Sequence, residues 1–322
     1  MPTNTKKEEI LNLNELANDC VGGKILFATD DFFQVAESML LNGEPVWDLN
    51  KYTEFGKWMD GWETRRKRTP GHDWCILKLG LSGVIKGFVV DTAFFTGNNT
   101  PKVSIQGACL EDDKVNLLRR SEMGTRCTEE ELKQAETIGS DKWEEILPKA
   151  PLKPGYPETR ENFFAVDNKK RFTHLRVNMF PDGGIARLRV FGEVSRDWSL
   201  VSLDEVIDLV SIKNGGRALS FSNSHYGTPK NLIMPNRGAG MYDGWETARN
   251  PNRPEVFLVG DDGQLICPGA EWCVLKLGTK GIVSKIEIDT AWFKGNYPES
   301  FTLEVLLKFE KGFNYWVGGR LY

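Results

Sequence analysis

The sequence predicts an all-β protein, a tandem of two duplicated jelly-roll β-sandwiches with a few short helices. Three observations carry that expectation. The first half of the chain returns in the second, the apolar runs are short and bounded by Gly or Pro, and one late segment alternates apolar with polar residues at period two. Many short strands with Gly and Pro turns and little helix are the pattern of a sandwich.

The duplication is read first. Gly22-Gly23-Lys24-Ile25-Leu26-Phe27 returns as Gly215-Gly216-Arg217-Ala218-Leu219-Ser220-Phe221. Asp60-Gly61-Trp62-Glu63-Thr64-Arg65-Arg66 returns as Asp243-Gly244-Trp245-Glu246-Thr247-Ala248-Arg249. Asp73-Trp74-Cys75-Ile76-Leu77-Lys78-Leu79-Gly80 is matched by Glu271-Trp272-Cys273-Val274-Leu275-Lys276-Leu277-Gly278, and Asp91 to Asn98 by Asp289 to Asn296. From Asp73 to Asn98 the second copy is numbered 198 higher throughout. A period this long marks duplicated domains rather than a solenoid. They are expected at residues 1–197 and 198–322.

The elements follow in order. Ile76 to Leu79 and Ile85 to Asp91 read as strands. Phe172 to Met179 and Ile185 to Phe191 alternate around Pro181-Asp182-Gly183-Gly184 and predict a β-hairpin, with His174, Arg176 and Asn178 on a solvated face. Thr128-x-x-Glu131 is a capping box that predicts a short helix to Thr137, inside a polar insertion from Leu118 to Ser140. Ser202-x-x-Glu205 predicts a second helix to about Val210. The second copy stops early, since the repeat pattern calls for roughly 70 residues beyond Tyr322. This predicts a shortened product in which residues 200–322 fold only partly.

Composition narrows the function. The chain has 322 residues, 40% hydrophobic and 27% charged, and a net charge of −4, which leaves no electrostatic footprint for nucleic acid. No apolar run approaches a membrane span, and no leader-type apolar segment opens the chain. Cys20, Cys75, Cys109, Cys127, Cys267 and Cys273 show no zinc or redox spacing, and Cys75 and Cys273 read as buried thiols in a reducing compartment. The expected location is cytoplasmic, with a peroxisome left open. His72, His174 and His225 are not within i, i+4 of one another, so a zinc site is not expected, while an oxygen-ligated divalent cation remains open. No nucleophile elbow, phosphate loop or dinucleotide fingerprint occurs.

Taken together, the twice-repeated Asp-Gly-Trp-Glu-Thr and Asp-Thr-Ala-aromatic-Phe segments, with Pro181-Asp182-Gly183-Gly184-Ile185-Ala186-Arg187, resemble the allantoicase family from Gly22 to about Leu306. The resemblance implies tandem jelly rolls similar to galactose-binding modules. It also implies hydrolysis of allantoate to ureidoglycolate and urea in purine degradation, and homo-oligomers. The competing reading is a non-enzymatic tandem that binds a small ligand.

Allantoate is a carboxylate with two ureido groups on one carbon, so its site needs a guanidinium, amide-bonding groups and a proton carrier. Glu63 and Glu246, each after a Trp, are the candidate acid–base groups, with an ion pair to the adjacent Arg as the competing role. Asp91 and Asp289 are further catalytic candidates, though either could simply bond its own following backbone. Arg66 and Arg249 align and are candidates for the substrate carboxylate; Arg65 is a further binding candidate, and because it aligns with Ala248 it cannot play one identical role in both domains. Asp60, Trp62, Asn98, Asp182 and Arg187, with Asp243, Trp245 and Asn296, complete the expected binding set.

Overall fold

The computed structural model describes residues 4–111, 114–202, 204–261, 263, 265–266, 269–308 and 314–319. Cys267, Leu203 of the second capping box and the closing Arg320-Leu321-Tyr322 lie outside the described residues. The fold is mostly β, and the chain divides into two compact units. The first comprises Met1–Arg217, Ile233–Asn236 and Leu275–Gly281; the second Ala218–Leu232, Arg237–Val274 and Ile282–Tyr322. The first extends past residue 197 because Val210 and Ile212 pack with its core.

The first unit contains helix α1 (Asn4–Leu11) and helix α2 (Glu129–Thr137). Its strands are β1 (Asn14–Glu15), β2 (Lys24–Ala28), β3 (Tyr52–Thr53), β4 (Gly56–Lys57), β5 (Trp62–Glu63) and β6 (Asp73–Asp91). They continue with β7 (Lys102–Ala108), β8 (Glu144–Pro151), β9 (Glu161–Ala165), β10 (Arg171–Phe180), β11 (Gly184–Ile185) and β12 (Arg187–Val194). Strand β6 organises them. The two runs expected here as separate strands form one, and Gly80 and Gly83 are not turns. A Cβ at Gly80 would stand 2.5 Å from the Val21 carbonyl oxygen, and one at Gly83 2.4 Å from that of Glu193.

The early half of β6 pairs with β2 and β10, and β10 continues to β7 and β8. Its late half pairs with β9 and β12, and β12 continues to β1. One strand thus passes between the two layers, as strands at sandwich corners do. Cys75, Leu77 and Leu175 from one layer share a core with Phe88, Leu188 and Val190 from the other. The predicted β10–β12 hairpin is therefore not a hairpin, because β6 lies between the two strands. Their alternation is real, but alternation records a buried face and not the identity of the neighbour.

The solvated polar face is also corrected. His174, Arg176 and Asn178 are all buried. The insertion packs over this side of β10, where Phe27, Trp74, Ile76 and Ala135 form a second cluster flanked by Leu132 and Trp143. Arg176 lies 3.8 Å above the Trp74 ring and donates to Asn178 Oδ1 at 2.8 Å and Ser140 Oγ at 2.8 Å. Helix α2 begins with the expected capping box, Glu131 N donating to Thr128 Oγ1 and Thr128 N to Glu131 Oε2. The helix expected after Ser202 does not form: Glu205 pairs with Arg196, and Val206 is 92% exposed. With Glu205 engaged by Arg196, the reciprocal half of the capping box is lost, and the short segment does not offset the cost of nucleating a helix.

In the second unit Leu258–Val259 pairs with Leu265–Ile266, and Leu303–Lys308 with Asn314–Gly319, both antiparallel. Among its described residues up to 306 no Val, Ile, Leu, Met, Phe, Tyr or Trp side chain is buried, and Ile282 is 94% exposed. Cys273, expected to match buried Cys75, is only half-buried. Among the described residues no helix is long and apolar enough to cross a membrane.

Candidate functional site

Strand β5 is two residues long, too short to hold itself, and is fixed from both sides. Glu63 pairs with Gly184 and Trp62 with Ile185. On the other edge Phe33 N and Gln34 N donate to the Glu63 carbonyl, and Glu63 N donates to Gln34 O. The indole of Trp62 is fully buried, with Nε1 donating to the Asp30 carbonyl at 2.9 Å. It anchors the strand rather than presenting a surface to a ligand. Alternation then sends Glu63 the other way.

The Asp91–Asn98 turn supplies the partner of Glu63. Asp91 Oδ1 accepts from Ala93 N at 2.8 Å, and Phe94 adopts φ +69°, a left-handed conformation uncommon for a bulky residue. The chain reverses there, so Phe95 is buried against Gly184, where a Cβ would meet its ring at 2.2 Å. That contact brings Asn98 over the strand, and Asn98 Nδ2 donates to Glu63 Oε1 at 2.7 Å. Glu63 is 9% exposed. Burial pushes its pKa up to about 7, against the opposing pull of the Asn98 hydrogen bond. The competing ion pair to the neighbouring Arg is not formed: Arg65 donates from Nε (2.8 Å) and Nη2 (2.7 Å) to Asp30 Oδ2, its guanidinium over Phe32.

The other expected residues fall into two groups. Asp60, Asp91, Asp182 and Arg187 are engaged within the domain. Arg187 Nη2 donates to Asp60 Oδ2 at 2.8 Å, and that oxygen also accepts from Val46 N. Asp91 accepts from Arg160 Nε at 3.0 Å, and this hydrogen bonding raises the Arg160 pKa. Asp182 accepts from Lys67 N at 2.8 Å. The buried charges of Asp60, Asp91 and Arg187 are satisfied this way, and releasing one partner would be costly. Arg66, by contrast, is exposed and makes no hydrogen bond or ion pair among the described residues.

The second copy repeats the local geometry. Trp245 Nε1 donates to Asn223 O at 2.8 Å, Asn296 Nδ2 to Glu246 Oε1 at 2.6 Å, and Ala291 N to Asp289 Oδ1 at 2.8 Å. Trp292 takes φ +74° where Phe94 does. Asp243 accepts from Ala239 N, Asp289 is ion-paired with Arg237, and Arg249 is exposed. Glu246 is half-buried.

Asp30, Asp31, Arg119 and Arg160 were not singled out by sequence reasoning. For Asp30 a signal exists: it follows the Gly22–Phe27 repeat as Asn223 follows Gly215–Phe221, and each offers its carbonyl to the motif Trp. Arg119 and Arg160 lie in segments with no second copy to flag them. Among the described residues no group of three or more His, Cys, Asp or Glu side chains is placed to hold a metal ion.

The allantoicase repeat pattern matches residues 14–195 and 207–313. An allantoicase of Dictyostelium discoideum is 42% identical over 293 residues, 91% of this chain and 69% of that protein. A probable allantoicase of Acinetobacter baylyi is 40% identical over 295 residues, 92% and 75% of the two chains. A solved allantoicase structure superposes with TM-score 0.70 at 31% identity, covering 99% of this chain and 87% of the other. The allantoicase of Saccharomyces cerevisiae superposes with TM-score 0.62 at 30% identity, covering 86% and 74%.

Proposed function

The chain belongs to the allantoicase family, and from that premise we propose that Glu63 is the proton carrier of its allantoate hydrolysis and Arg66 the anchor of the substrate carboxylate. The activity itself is hydrolysis of allantoate to ureidoglycolate and urea in purine catabolism, and the competing binding-only reading finds no support.

In this reaction a water oxygen bonds to the central carbon, one carbon–nitrogen bond breaks, and the departing nitrogen takes up a proton to leave as urea. Water can add directly, or after the urea has been eliminated. By either route one proton leaves an incoming or retained group and one reaches the leaving nitrogen. A carboxylate poised near neutrality does both, since it gives up and regains a proton at little cost. Glu63 is that group, and the observation that carries the reading is its burial with a single amide partner. Arg66 stands three residues on, with its planar fork uncommitted. Asp60, Asp91, Trp62 and Arg187 form the frame around them. Glu246 with Asn296 is the corresponding pair of the second unit, and its half-buried carboxylate makes it the weaker proton carrier.

The decisive experiment measures urea release from allantoate by Glu63→Gln. Turnover should fall by about 10²- to 10⁴-fold, the usual contribution of general acid–base catalysis. Wild-type turnover in that variant would remove Glu63 from the mechanism. The reading extends to a homo-oligomer, supported by the exposed apolar side chains of the second unit. It also extends to a reducing, cytoplasmic setting, supported by Cys75, Cys109, Cys127 and Cys273, which form no disulfide among the described residues.

A further inference from the structure

Glu63 is held on one side by segment 31–37, which runs from Asp31 through the Phe33 and Gln34 amides to Glu37. Apart from a short helical turn at its end, this segment is irregular and has no strand ladder to stiffen it. Its two ends are instead joined by one side chain from the insertion. Arg119 pairs with both oxygens of Asp31, Nη2 reaching Oδ1 at 2.9 Å, and simultaneously with Glu37, Nε to Oε1 at 2.8 Å and Nη2 to Oε2 at 2.7 Å. Asp31 Oδ1 also accepts from Ala36 N at 2.9 Å, closing the segment on itself. The insertion backbone follows the same stretch, with Asp31 N donating to Thr125 O, Gly124 N to Phe32 O and Cys127 N to Thr29 O. The Arg119 side chain is 16% exposed and that of Asp31 5%. Burial opposes the Arg119 charge, but the two carboxylates outweigh it.

We propose that Arg119 is a positioning residue for the reaction, clamping segment 31–37 so that its amides hold the Glu63 backbone in register beneath Asn98. The proposal rests on the reading of Glu63 as proton carrier. A guanidinium suits the task because its planar fork serves two carboxylates at once, whereas a lysine ammonium is a single point. Arg119→Lys keeps the charge and loses the bridge.

The test is a comparison in two backgrounds. In the wild-type chain Arg119→Lys should lower kcat by about tenfold or more with KM nearly unchanged, as misplacement of a catalytic group does. Its acid limb in the pH–rate profile should also move. In the Glu63→Gln background the same substitution should cost nothing further, because the group it positions is gone. Equal losses in both backgrounds would overturn the proposal and leave the Glu63 reading standing. Full turnover by Glu63→Gln alone would overturn the Glu63 reading, and the proposal with it. If Arg119→Lys fails to fold, Glu37→Gln, which opens only the more exposed arm of the clamp, is carried through the same two backgrounds under the same criteria. Arg120→Ala, on the same insertion but turned to Glu131, is the control expected to leave kcat unchanged.

Discussion

In its proposed role, Glu63 couples catalysis to stability through one proton. Its pKa rises from 4.5 to about 7 on folding because the buried carboxylate loses solvent, with only the Asn98 amide in compensation. If the ionised form is the base, kcat/KM should rise with pH to an inflection near 7. Asn98→Ala removes the donor that favours the carboxylate, so the inflection should move to higher pH; a shift downward would contradict this assignment. The same proton affects folding in the opposite sense. A carboxyl whose pKa is raised by folding contributes its stability below the unfolded pKa and loses it as pH climbs through the folded one. Glu63→Gln, which never ionises, should therefore gain stability relative to wild type between pH 5 and pH 8, by an amount on the order of 1–3 kcal/mol, seen as a rise in its Tm relative to that of wild type. Differential scanning measurements at the two pH values read the change directly.

At the level of elements, the Asp91–Asn98 turn and the Gly183-Gly184 crossing are one device. The left-handed Phe94 directs Phe95 onto Gly184, and that packing aims Asn98 at Glu63. Gly184→Ala drives a methyl into the Phe95 ring, with no backbone freedom to yield while β11 pairs with β5. The expected outcome is a loss of about 1–3 kcal/mol by denaturant unfolding, on the scale of overpacking in a full core, with kcat reduced as well. On the other side of the sheet, Arg176 bridges Trp74, Ser140 and Asn178 beneath the insertion. Arg176→Ala strips the stacked guanidinium, takes the donor from buried Ser140 Oγ and leaves Asn178 Oδ1 with its His72 contact, so a cost of about 2–3 kcal/mol is expected. A neutral result would mean that Arg176 does not help to hold the insertion.

For the molecule as a whole, the two units differ in what can hold them together. The first has a continuous core running through both layers, from Leu16 to Ile233. The second repeats the Trp, Glu–Asn and Asp-turn contacts of the motif, but among its described residues up to 306 the large apolar side chains are not buried. Hydrophobic burial supplies the main stabilising term of a domain. A fragment carrying residues 218–322 should therefore melt broadly, with poorly dispersed amide resonances. A sharp cooperative transition for that fragment would refute this account.

The sequence by itself determined that the fold is β, that it is duplicated, and that the motif glutamates, the Asp-Thr-Ala turns and their Asn residues recur together. These follow from period, repetition and residue type, which are local and readable along the chain. The capping box of α2 was legible for the same reason. Tertiary structure alone decided that β6 separates β10 from β12, that the His174–Asn178 face is covered, and that Arg119 pairs with Asp31 and Arg160 with Asp91. Strand order and burial depend on which distant segment arrives at a given edge or face, and period two is silent on both. The same holds for Glu63. Its residue type announced a proton carrier or an ion pair, and only the arrival of Asn98 and the departure of Arg65 to Asp30 left it buried with one amide partner.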